Sequence, residues 1–366
     1  PAAADRTGIT GDFELVSGKQ MNRETVCLLP EIKSVGGPAA FQQRFITAAA
    51  KQGITAHFDS SRKDIGAYLV IGAPRKFIPT LYSARQRGIP VIQRLNGMNW
   101  IHRVRPSGHL YGKKADLANN RLSFFRKHIA IGIVYQSPFC ETHWNEVYGV
   151  LSDKPSRIIY NGVDLNEFKP IVPEFSSEDI EILIVEGNLE HGSEQNLEQA
   201  LSLSMALSRR TSQKVHLRIA GNVPEAIREK VFERMSDSTA VVSVDFLGII
   251  EKSRLIELEN SSHMLFSVEL NPACPNSVIE ALACGLPVIG FDTGALKDVT
   301  GVGGIIVPYG TDVWKLEKPI LFPLIDAAEK VYRENQKFRK AAREQAESHF
   351  SIDKITEEYL SFLFGS

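Results

Sequence analysis

Residues 271–294, NPACPNSVIEALACGLPVIGFDTG, constrain the fold more than any other part of the chain. Asn276 and Ser277 follow a proline and carry the side-chain oxygens that cap a helix start. Val278, Ile279, Ala281, Leu282 and Ala283 then make a short apolar helix, Gly285 stops it, and residues 287–290 read as a strand buried on both faces. A helix so short and apolar belongs in an interior. Opening at the C-terminal edge of a parallel sheet, it would offer unpaired backbone N–H groups and a favourable dipole to an anion. A phosphate suits that place, held by Asn276, Ser277 and Val278. Glu280, about one turn further in, is placed to accept from sugar hydroxyls. The two together predict a nucleotide sugar as the guest.

The remainder of the chain supplies a frame. Apolar runs at 25–30, 67–72, 90–95, 132–137 and 157–162 alternate with helical patterns at 39–51, 77–87 and 139–148. After residue 171 the runs at 181–188, 215–222, 242–249 and 263–268 alternate with helical patterns at 196–208 and 224–235. Such alternation predicts an α/β chain of doubly wound parallel sheets, with ligands outside the strand C-termini. The turns found there are Gly36-Gly37 before Pro38, a polar loop holding Asn96, Asn99, Trp100 and His102, Gly187-Asn188 with His191 and Ser193 close behind, and a Gly-Ile turn at Ile249. Asn96 and His102 are the candidates for contact with a sugar acceptor. No GxGxxG followed by a ribose-binding acid occurs, which argues against a dinucleotide oxidoreductase.

A chain of 366 residues is about twice a typical domain. The polar, proline-bearing stretch PIVPEFSSED predicts the boundary, giving one domain over 1–170 and another over 171–351. Three closing helical patterns (321–334, 336–350, 352–363) follow, the last of which, within 352–366, is expected to cross back to the first domain. Charge changes at the same boundary. Residues 1–171 hold 23 Lys and Arg against 13 Asp and Glu, and the rest holds 19 against 30. Between 101 and 131 seven basic residues, among them Arg103 and Lys127, face Asp116 alone, a patch suited to an anionic membrane surface, a phosphorylated acceptor, or simply water. No motif accompanies it that would indicate nucleic acid. Cys27, Cys140, Cys274 and Cys284 are scattered, read as reduced, and have no zinc spacing; with no long apolar run and no signal-peptide order in the first residues, the expected compartment is cytoplasmic.

The 271–294 stretch resembles the donor-binding signature of family-4 glycosyltransferases of the GT-B fold, in which Glu, seven residues, a second Glu, then Ala-x-Ala-x-Gly-x-Pro-Val recurs. Glu280 matches the second Glu. Pro272 stands where the first would be, and Glu269 is three residues out of register. Gly36-Gly37 is similar to the family's glycine-rich loop, residues 158–170 (IIYNGVDLNEFKP) to its Asn-Gly-Val-Asp hinge, and the loop at Asn96 to a segment in which Asp is common. The resemblance implies two Rossmann-like lobes facing a cleft. It also implies transfer of a sugar from a nucleotide diphosphate, with retention and without a metal or other cofactor, to a glycan or lipid-linked hydroxyl. The family's diphosphate-binding Arg and Lys are replaced here by Asn188 and a position near Ser193, with His191 as a substitute cation when protonated. Their loss keeps open a second expectation, a binding or regulatory protein of the same fold without turnover.

Overall fold

The structure is a computed structural model and describes residues 24–33, 36–105, 109–171, 179–189, 194–236 and 240–365. The boundary stretch expected from PIVPEFSSED falls largely outside these residues.

In the first lobe β1 (Thr25–Leu29), α1 (Gly37–Lys51), β2 (Thr55–His57), β3 (Ala67–Ile71), α2 (Ile78–Gln86), β4 (Val91–Leu95), α3 (His109–Phe124), β5 (Gly132–Tyr135), α4 (Pro138–Tyr148) and β6 (Ser156–Ile158) follow in order. The second lobe holds β7 (Ile180–Asn188), α5 (Glu194–Thr211), β8 (Val215–Asn222), α6 (Glu225–Ser236), β9 (Val242–Gly248), α7 (Lys252–Ser261), β10 (Met264–Ser267), α8 (Asn276–Ala283), β11 (Val288–Phe291), α9 (Leu296–Thr300), β12 (Gly304–Val307), α10 (Phe322–Arg333) and α11 (Asn335–His349). A last helix, α12 (Ile352–Phe364), ends the chain.

Each lobe is built on six parallel strands, in the orders β2-β1-β3-β4-β5-β6 and β12-β11-β10-β7-β8-β9. Every residue of β1, β3, β4 and β5 is buried, as helices on both faces of a parallel sheet require. Strand order reverses between β1 and β3 in one sheet and between β7 and β10 in the other. Ligands settle at such reversals, beyond the strand C-termini. β2, α3, α7, α9 and β12 are additions to the sequence reading. The α3 sequence, HLYGKKADLANNRLSF, mixes Gly, Asn and Asp with its apolar residues and so hides its period.

The lobes are joined twice at one place. The chain leaves the first lobe through Gly162 and Val163, and returns through Phe350 to Ile352. There Val163 donates to Phe350 O at 2.8 Å, and Ile352 donates to Val163 O at 3.0 Å. A Cβ on Gly162 would stand 2.8 Å from Ile352 Cα, so only glycine admits this crossing. Beyond it Phe168 is buried among Val278, Leu282 and Phe350 of the second lobe. α12 packs on the first sheet: Tyr359 meets Phe41 and Phe45 with ring centroids 5.2 and 5.8 Å apart, in the cluster that holds Val26 and Leu28. All four cysteines are buried and none is disulfide-bonded.

Candidate active site

Most helices need a side chain to cover their first N–H groups, and α4 has one: Ser137 accepts from Cys140 N at 3.1 Å. Several others lack it, and two of these, α1 and α8, open on the gap between the lobes. The residue before α1 is Gly36, and the residue before α8 is Pro275, so neither supplies a side-chain cap. Asn276 and Ser277 were expected to cap α8. They are instead its first two helical residues, because the turn before them is completed by Pro275, whose carbonyl accepts from Ile279 N at 3.3 Å. Among the described residues nothing accepts from the N–H groups of Asn276, Ser277 or Val278. The two uncapped ends face each other across the gap between the lobes, a Cβ on Gly37 lying 3.2 Å from Asn276 Nδ2. Between them opens a cavity of about 680 Å³.

Gly36, Gly37, Asn96, His102, Gly187, Asn276 and Ser277 all line this cavity. Val278 is fully buried and does not line it. Asn188 ends β7, its side chain lying outside the description, and His191 and Ser193 lie outside the described residues altogether. Two placements depart from expectation. Ile249 follows β9, the edge strand farthest from the β7–β10 reversal on its side, and is 67% exposed outside the cavity. Glu280 is not among the cavity's lining residues either: Arg44 of α1 reaches across the lobes, donating to its carboxylate through Nη2 and to Gly162 O through Nη1 at 3.0 Å. Burial holds the Glu280 carboxyl above its ordinary value, although the Arg44 charge pulls it down.

His102 is held by a partner that sequence reasoning missed. Its Nε2 is 3.0 Å from Asp116 Oδ1, and its side chain is almost wholly enclosed. The signal was the single acid inside the basic patch. Hydrogen bonds from His102 and Arg103 keep the Asp116 carboxyl below its usual range. Asn96 is fixed rather than free, accepting from Arg94 Nη1 at 2.8 Å and Gln136 Nε2 at 2.7 Å. Trp100, at the mouth, meets Trp314 of the second lobe edge-on at 4.9 Å.

The opposite wall is acidic. Glu186 at the end of β7 and Glu269 after β10 both line the cavity, brought together because the two loops flank the reversal in strand order. The surrounding cleft walls and then the neighbouring Glu186 charge push the Glu269 carboxyl up to about 8. Beside it Asn271 adopts a left-handed backbone (φ 51°) and leaves its buried Nδ2 without a partner. No group of three or more His, Cys, Asp or Glu side chains able to hold a metal ion occurs among the described residues. No helix among them is long and apolar enough to cross a membrane.

Residues 181–321 match the family model of Glycosyl transferases group 1. The whole fold is similar to sucrose-phosphate synthase from Thermosynechococcus elongatus, with 14% identity, TM-score 0.65, and coverage of 94% of this chain and 100% of that one. It is also similar to Anabaena Alr3699/HepE in complex with UDP-glucose, with 13% identity, TM-score 0.64, and coverage of 93% and 100%. With a point mutant of S. aureus TarM, bound to fondaparinux, α-GlcNAc-glycerol and UDP, it shares 14% identity at TM-score 0.58; there 82% of this chain spans 55% of the other, about half its length. Among curated proteins none matches the chain. The chain thus has the GT-B fold, and residues 181–321 of its second lobe are similar to the group 1 glycosyltransferases.

Proposed function

We propose that this protein is a retaining glycosyltransferase that moves a sugar from a nucleotide-diphosphate sugar to an acceptor hydroxyl on a glycan or a lipid-linked glycan, without a metal. The observation that carries the reading is the pair of uncapped helix ends, α1 and α8, opening on one cavity between the lobes. Two such ends converging on a diphosphate meet its charge with fixed backbone donors and need no reorganisation as the leaving group departs. His102, positioned by Asp116, is the group that would handle the proton of the acceptor hydroxyl. In this reading Glu280 reaches the donor only after Arg44 releases it.

Acceptor access has a candidate in the basic patch. Its α3 presents Lys113, Lys114 and the exposed Tyr111, Leu117 and Phe124, a mixture of cationic and apolar side chains suited to the inner face of an anionic membrane. Two of the similar structures contain UDP or UDP-glucose, so UDP-sugars are the first donors to try.

The test is a thermal-shift screen of nucleoside diphosphates followed by incubation with the matching sugar donors. A specific ligand at 100 times its Kd adds about 2.7 kcal/mol of stability. Donor consumption with an α-linked product from an α-linked donor is the expected result. Tight binding with no transfer or hydrolysis of any donor would instead make it a binding protein of the same fold.

A further inference from the structure

Arg94, the fourth residue of β4, lines the cavity and is 1% exposed. Its donors go to three neutral amide oxygens: Nη1 to Asn96 Oδ1 at 2.8 Å, Nη2 to Gln136 Oε1 at 3.0 Å and to Asn161 Oδ1 at 2.6 Å. Its buried Nε and the neighbouring buried Tyr359 hydroxyl have no other partner, and the Phe41 ring centroid is 4.1 Å from Cζ. Among the described residues no carboxylate is within ion-pair distance. A buried charge without a counter-ion is expensive, and chains keep one where something else neutralises it.

Among the described residues two other arginines are buried, and they sharpen the contrast. Arg126 donates to Gly149 O, Asn145 and the Tyr135 hydroxyl, and Arg339 donates to Asn335 and to the carbonyls of Gly285, Asn260 and Ser262. Both bind backbone carbonyls, with every guanidinium nitrogen engaged and neither lining the cavity; they are structural clips. Arg94 engages no backbone carbonyl. The amides around it turn their oxygens inward and their NH2 groups outward, Asn161 Nδ2 reaching Asn276 Oδ1 at 2.8 Å and Cys274 O at 3.1 Å. One amide therefore separates the guanidinium from the first residue of α8.

We infer that Arg94 is a positioning residue that supplies the fixed positive charge for a diphosphate seated between α1 and α8, acting through Asn161 and Asn96. This rests on the proposed donor site. It accounts for how that site works in a chain whose turn after β7 carries Asn188 in place of a cation, and whose facing wall carries Glu186 and Glu269.

The decisive variant is Asn96→Asp. Asn96 only accepts in its contact with Arg94 and Gln136, so a carboxylate keeps both bonds while pairing the guanidinium internally. Inorganic pyrophosphate, UDP and uridine are titrated calorimetrically into the wild type and the variant. The expected result is a higher Tm for the ligand-free variant, affinity for pyrophosphate and UDP lowered about tenfold or more, and uridine affinity within about twofold. Arg94→Lys, which keeps the charge, should retain more UDP affinity than Arg94→Gln. Equal losses for uridine and UDP, or UDP affinity unchanged in Asn96→Asp, would overturn the role of Arg94. Should the wild type bind neither pyrophosphate nor any nucleoside diphosphate, the donor site itself falls, and Arg94 with it.

Discussion

The two walls of the cleft are built alike and charged oppositely. Each sheet sends one uncapped helix start and a set of loops to the same cavity. The first lobe adds Arg94, Arg105 and His102 with its partner Asp116, whereas the second adds Glu186 and Glu269. The fold fixes where an anion can sit but not which lobe supplies the cations. In this chain the arginines lining the cavity, Arg94 and Arg105, lie on the wall opposite the one to which the family resemblance would assign the cations. The same opposition runs through the whole sequence, basic before residue 171 and acidic after it.

The two walls differ most at His102. If the first wall carries the reacting proton, His102→Ala lowers turnover by about 10²–10⁴ while leaving nucleoside diphosphate affinity nearly unchanged; steady-state rates with bound-ligand titrations check it, and equal losses in both would make His102 a binding group. Next in size is the bond between the walls. Arg44→Met leaves Glu280 enclosed without its partner and should cost ~3 kcal/mol in urea unfolding, with Glu280→Gln in that background recovering most of it. A cost under ~1 kcal/mol would show that Arg44 does not fasten the lobes. The outer charge comes third: replacing Lys113 and Lys114 by Gln should weaken sedimentation with phosphatidylserine vesicles by about 1 kcal/mol per residue, and not alter binding to neutral vesicles.

The smallest effect concerns the acidic wall. A carboxyl raised in the folded state contributes stability that is complete below its unfolded value and is lost as pH climbs through its folded one. For Glu269 the window runs from its ordinary 4.5 up to about 8. Glu269→Gln should therefore leave Tm unchanged at about pH 5 and raise it at about pH 9. Water in the open cleft screens the repulsion, which holds the gain to ~1 kcal/mol, or roughly 2–4 °C. A Tm difference that is the same at both pH values would show that the carboxyl does not titrate against Glu186.

Much of the frame was legible because it is local. A run such as AYLVI, between Gly66 and Gly72, is continuous and apolar, so a strand buried on both faces is the only economical reading. The α8–β11 unit was readable for the same reason. What escaped depends on distant partners. Glu280 reads as a sugar ligand until the fold brings Arg44, 236 positions away, onto its carboxylate. Glu269 reads as out of register with a motif, yet the β10 loop carries it into the cavity beside Glu186. Arg94 reads as a polar interruption in an apolar strand, and only the meeting of β4, β5 and the crossing at Asn161 reveals its surroundings as neutral. Ile249 was misplaced because a Gly turn marks the end of a strand without marking how near the middle of the sheet it lies.

The double crossing at Gly162 and Phe350 to Ile352 has a mechanical consequence. Two segments of backbone, side by side and hydrogen-bonded through Val163, tie the lobes along one line, which is the natural axis for a swing of one lobe on the other. Motion about that axis changes the gap between α1 and α8 directly. It also parts Trp100 from Trp314 at the far rim, so the opening of the cleft carries its own fluorescent reporter.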